Sequence, residues 1–179
     1  WIISGTQSTV TAGTSNYIAG VNAGNSIASG GNYNVTIGDE AGTAITTGDN
    51  NTFVGYAAGD ATTTAIENTA VGGSALGANT TGAANTALGI NSLNANTTAA
   101  NNTAVGRSSL ESNTTGTANT AMGKDALQGN TTADNNTAVG YLALEANTTG
   151  ASNVAVGSLA LDANTTGATN VAVGTSAMG

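Results

Sequence analysis

The chain has no cysteine, no proline and no histidine, and its only basic residues are Arg107 and Lys124. Without Cys there is no disulfide framework and no thiolate metal site. Without His or Cys, a Ser or Thr nucleophile has no imidazole partner, which leaves Lys124 as the sole Lys general base. Two cations cannot neutralise a phosphate backbone, so nucleic-acid binding is excluded as a function class, and so is electrostatic docking to an anionic membrane. Hydrophobic runs are short. None could span a bilayer, so membrane insertion is not expected of this segment. There is no signal-peptide pattern, and the first residue is Trp1, which suggests a processed or excised piece. Large aliphatics are scarce and the net charge is -8, a combination that ordinarily reads as disorder.

What is present overturns that reading. Asn34, Asn51, Asn68, Asn85, Asn102, Asn119, Asn136, Asn153 and Asn170 open successive units, each step 17 residues long. A glycine follows four residues later every time, from Gly38 through Gly106 to Gly174. A fixed short period is the signature of a stacked solenoid.

Counting the leading Asn as position one, position two is Val or Thr and position three is Ala, except at Thr36 and Phe53. Position four is always apolar, from Ile37 to Val173. Alternation over so few residues is strand periodicity, and the glycine at position five marks a corner. Position nine is Leu from Leu76 to Leu161, and Gly at Gly42 and Gly59. Positions thirteen and fourteen are Thr-Thr, and position twelve is Asn from Asn79 onward. The pattern predicts an all-β fold, a parallel β-solenoid of 17-residue coils about 40 Å long over 34–179, its copies stacked ~4.8 Å apart. Residues 1–33 fit the period poorly and read as an atypical end coil or junction. They hold Trp1, Ile2, Ile3, Val10, Tyr17, Ile18, Val21 and Ile27, with Asn16 to Gly20 a worn copy of the motif.

Two buried stacks are expected: Val71, Leu88, Val105, Met122, Val139 and Val156 in one, Leu110, Leu127, Leu144 and Leu161 in the other. So thin a core usually needs oligomerisation. Ala104, Ala121, Ala138 and Ala155, on the opposite strand face, are expected to form the contacts of a homotrimer. The last unit stops at Gly179, before its Thr-Thr half, so the native chain is expected to continue downstream as a shaft.

The motif Asn136-Thr137-Ala138-Val139-Gly140, followed by Ala143-Leu144 and Asn147-Thr148-Thr149-Gly150, resembles the repeats of trimeric autotransporter adhesin heads. It is even more similar to repeats of phage tail fibres, most strongly from Gly48 to Gly59. The resemblance covers Asn34 to Gly179. It implies a trimer of left-handed parallel β-rolls used for surface attachment, although autotransporter coils are somewhat shorter.

Other chemistry is weighed against a solvated surface. Asp60, Glu111, Glu145 and Asp162 share position ten, and the last two fall on adjacent coils, ~4.8 Å apart. That approaches the roughly 5–5.5 Å of a retaining glycosidase pair. The stretch lacks aromatic sugar platforms apart from Tyr141, so an acidic corner that keeps the rod soluble is the simpler reading. Asp39, Glu40 and Asp49 could offer oxygen ligands to Ca²⁺, but the carboxylates do not recur as ladders. The Thr-Thr pairs suggest ice binding, yet only one Thr of each pair can face out, and a second outward rank at Thr-x-Thr spacing is missing. Asn-Thr-Thr sequons begin at Asn79, Asn96, Asn113, Asn130, Asn147 and Asn164. The expectation is therefore a non-enzymatic structural and adhesive fibre segment, without cofactor or metal. It would belong to an extracellular phage tail fibre or bacterial surface adhesin, and its partners would be its own copies and a cell-surface glycan or protein receptor. A polysaccharide-degrading tailspike and an ice-binding solenoid are the alternatives.

Overall fold

The computed structural model describes residues 12–179; the expectations for Trp1, Ile2, Ile3 and Val10 lie outside them. Each coil contributes one three-residue strand. They are β1 (Tyr17–Ala19), β2 (Val35–Ile37), β3 (Thr52–Val54), β4 (Thr69–Val71), β5 (Thr86–Leu88), β6 (Thr103–Val105), β7 (Thr120–Met122), β8 (Thr137–Val139), β9 (Val154–Val156) and β10 (Val171–Val173). They form one ten-stranded parallel sheet in sequence order, in strict register, for example Thr103↔Thr120, Ala104↔Ala121, Val105↔Met122. At ~4.8 Å per step the stack is roughly 43 Å long. The solenoid read from the period is the observed fold.

The rest of each coil is turn, and its backbone groups are satisfied by the neighbouring coils. Thr120 N–H donates to the Asn136 carbonyl above, and Gly123 N–H to the Val105 carbonyl below, both at 2.8 Å. The corner at position five can only be glycine. Gly106 has φ +132°, and a Cβ there would lie 2.5 Å from the Gly123 carbonyl oxygen of the next coil. Steric strain and stacking distance both forbid a side chain.

Two asparagine ladders seal the interior. Asn102 N–H donates to Asn85 Oδ1 at 3.0 Å, and its Nδ2 to the Gly116 carbonyl at 2.9 Å. Its own Oδ1 accepts the Asn119 N–H at 2.9 Å. The second ladder, at position twelve, links Asn130 Nδ2 to Asn113 Oδ1 at 2.8 Å and to the Ala133 carbonyl at 3.0 Å. The ladder asparagines named here are buried and hydrogen-bonded, as buried polar groups generally are; higher in the first ladder the Asn136 Nδ2 is buried without a partner. Among the described residues the first ladder is followed down to Asn16, whose Oδ1 accepts the Asn34 N–H across a coil one residue longer than the rest. The stretch from Asn16 to Tyr33 is thus stacked as a coil of the same solenoid, its strand paired Tyr17↔Val35.

The stack of Leu110, Leu127, Leu144 and Leu161 is buried, as expected, and it continues downward through Leu93 and Leu76. The position-four stack is not. Alanine at position three faces inward: Ala70, Ala87, Ala104, Ala121, Ala138 and Ala155 are all 0% exposed. Val71, Leu88, Met122 and Val156 are exposed, and Val105 and Val139 are half-buried. The strand alternation was read correctly and its two faces were exchanged. A 17-residue coil also carrying two inward asparagines and a leucine leaves room for only a methyl group at position three.

Candidate interaction surface

With Ala turned inward, positions two and four of every strand project from the sheet's outer side. One rank is mostly threonine: Thr52, Thr69, Thr86, Thr103, Thr120, Thr137. The other is wholly apolar: Ile37, Val54, Val71, Leu88, Val105, Met122, Val139, Val156, Val173. Met122 is 45% exposed and Leu88 36%. No charged residue stands at either position, in a chain of net charge -8. The chain thus presents an uncharged, apolar-ridged face along its whole described length.

The expected trimer contacts at Ala104, Ala121, Ala138 and Ala155 are overturned by this geometry, because those methyls are enclosed by their own chain. A neighbour packing on this strand face would meet positions two and four instead. The face has two margins. Past the glycine corner, position six carries Tyr56, Ile90, Arg107, Lys124 and Tyr141, all exposed. Before the strand, positions sixteen and seventeen carry Asp49, Glu67 and Asp134, with Ile66 and otherwise small or amide residues between.

Lys124 Nζ pairs with Asp125 Oδ2 at 2.5 Å and lies 5.2 Å from the centre of the Tyr141 ring. The hydrogen bond it donates to Asp125 holds its pKa above the ordinary lysine value. This is a charged, exposed ammonium rather than a base lowered for catalysis.

The position-ten carboxylates stand in one half-buried column. Gln128 Nε2 donates to Glu111 Oε2 at 2.7 Å across one coil. Burial pushes the Asp60 carboxyl up, against hydrogen bonds from the backbone that lower it. Glu145 and Asp162 occupy adjacent coils, Ala146 N–H donating to the Asp162 carbonyl at 3.2 Å. The carboxylates considered for Ca²⁺ are engaged one coil below themselves. Asp39 Oδ1 accepts the Val21 N–H at 3.1 Å, Glu40 Oε1 the Asn22 amide at 2.9 Å, and Asp49 Oδ1 the Asn32 N–H at 2.6 Å. Among the described residues no three His, Cys, Asp or Glu side chains gather as a metal site.

The Thr-Thr pairs divide as the alternation requires. Thr114 Oγ1 donates to the Thr131 carbonyl at 3.0 Å while Thr115 is exposed. The sequon asparagines Asn79, Asn96, Asn113, Asn130 and Asn147 are 0% exposed, with no room for a glycan. Protein-family models, characterised proteins and solved structures were compared with the chain, and none matches.

One feature escaped the sequence reading although its signal was there. Bulky residues at position three, Ile18, Thr36 and Phe53, coincide with glycine at position nine, Gly24, Gly42 and Gly59. A Cβ on Gly59 would lie 2.6 Å from Phe53 Cε2, and one on Gly42 3.1 Å from Phe53 Cδ2. The ring occupies the volume that leucine fills higher up.

Proposed function

We propose that the chain is a shaft segment of an extracellular adhesive fibre, three copies packing through their strand faces around a common axis. The supporting observation is the uncovered position-four rank. A face roughly 43 Å long and about 15 Å wide, five residues across, amounts to on the order of 600 Å² per chain. That is the scale of the ~800 Å² one chain contributes to a standard specific interface, here divided between two neighbours. Contiguous apolar patches of a few hundred Å² mark interaction surfaces. Three acidic chains can meet there because neither strand rank carries a charge, and a closed ring leaves no face open. The stacked coils supply length and stiffness. Attachment to a cell-surface glycan or protein, on a phage tail fibre or a bacterial adhesin, would use outer corners or neighbouring domains, without catalysis. Sedimentation equilibrium tests this directly: a species of three times 17.0 kDa is expected, and a folded monomer at micromolar concentration would overturn it.

A second reading has one observation in its favour. The strand face presents two outward ranks, Thr at position two and Val at position four, on a regular sheet that could order water. The missing second rank noted for the Thr-Thr pairs exists on this other face, though as valine. Thermal hysteresis shown by a monomer would favour the ice-binding solenoid over the fibre.

A further inference from the structure

The two margins of the strand face differ in charge, and they differ at matching heights. On the position-six margin stand the chain's only cations, Arg107 and Lys124, on consecutive coils. On the opposite margin, from the coil opening at Asn68 to that opening at Asn153, the only carboxylate at positions sixteen and seventeen is Asp134. Its side chain reaches down one coil. Oδ1 accepts the Thr117 N–H at 2.6 Å and the Thr117 hydroxyl at 2.9 Å. Thr117 leads into β7 (Thr120–Met122) and Lys124 follows it, so the Asp134 carboxylate and the Lys124 ammonium flank one strand from its two ends. Arg107 lies one coil lower, exposed, and makes no ion pair among the described residues.

From this juxtaposition we infer that Lys124 and Arg107 of one copy pair with Asp134 of the next, the binding partner being a second copy of this chain. In a ring whose copies present the same face to the axis, the cationic margin of each copy abuts the acidic margin of its neighbour. Without axial offset, the Asp134 Oδ2 of one copy sits level with the other's Lys124 and one coil above its Arg107. The arrangement has a consequence for alignment. The Thr and Val ranks repeat every coil, so apolar contacts alone hold a neighbour slipped by a whole coil almost as well. The charges tolerate a slip of one coil in a single direction, which sets Asp134 against Arg107; the opposite slip sets it against Tyr141, and ring closure, which permits no net translation, removes the slip that the charges allow. Lower down the margins do not match: Asp39 and Asp49 are both acidic, which confines the complementarity to the coils of β6 (Thr103–Val105) and β7.

This inference rests on the proposed assembly, and the experiment separates the two. Asp134→Asn retains an oxygen for Thr117 and removes only the charge. Arg107→Gln with Lys124→Gln removes the other side. Circular dichroism would confirm that each variant folds, and sedimentation from 20 mM to 1 M NaCl would follow assembly. Expected are a several-fold weaker association of each variant at low salt, convergence with the parent at high salt (exposed charges are screened there), and no further loss on combining them. A parent that assembles while Asp134→Asn matches it at every salt concentration overturns the pairing and leaves the fibre reading intact. A parent that is monomeric overturns both.

Discussion

At the scale of single residues, the interior obeys a volume rule. Ala at position three goes with Leu at position nine, and a bulky residue at position three goes with Gly at position nine. Phe53 is fully buried, and its ring lies where a Gly59 side chain would begin. Phe53→Ala should cost about 3–5 kcal/mol, because nothing else fills the space. Gly59→Leu should cost about 1–3 kcal/mol by overpacking alone. Its backbone is not the obstacle, since φ at Gly59 is +59° and Leu76, at the same place one coil up, has φ +57°. Together the two changes recreate the Ala-Leu arrangement of the coil above, so the double variant should lose far less than the sum. Urea denaturation of all four proteins measures the coupling, and simple additivity would refute the rule. Both exceptions were visible in the sequence as departures from consensus. What tied them was a contact across the coil, which no local pattern displays.

At the scale of the coil, the strand was legible and its orientation was not. Val at position four and Ala at position three state the alternation, and Gly106 states the corner. Which face is inside depends on the width of the enclosed space, and that is set by residues half a coil away. Leu110 enters from the far side, while Asn102 and Asn113 occupy the ends. Preference for burying the larger residue put valine inside, but the cross-section admits only alanine. The recurrence of asparagine was plain in the sequence, and the structure gives its side chains backbone partners as well as one another. Asn102→Ala would strand the Asn119 N–H in the interior at about 1–3 kcal/mol, while the Gly116 carbonyl keeps the Asn113 amide at 3.0 Å. A loss of about 1–3 kcal/mol in urea denaturation is expected, and an unchanged stability would remove the ladder from the account.

At the scale of the whole molecule, the exchanged faces reverse what one substitution should do. Val105 is half-exposed, so Val105→Asp keeps its charge in water in an isolated chain, and the circular dichroism of the fold should persist. In the proposed assembly the same carboxylate meets its copies at an apolar contact, a placement that costs several kcal/mol. The expected product is a folded monomer of 17.0 kDa, whereas Leu110→Asp, fully buried, should abolish folding. A trimeric Val105→Asp protein would move the interface off the strand face. The stacking itself carries one more consequence, for heredity. Every coil above Phe53 offers the same groups upward as it receives from below. In-frame loss or gain of 17 codons there joins two surfaces that already fit, and the length of the rod becomes a quantity that recombination between repeats can adjust in fixed steps. The exception lies at Phe53, whose ring rests on Gly59 in its own coil and Gly42 in the one below. A crossover that brings a leucine-bearing coil beneath it would meet the ring, so the lower end of the rod is closed to the length variation that the upper coils permit.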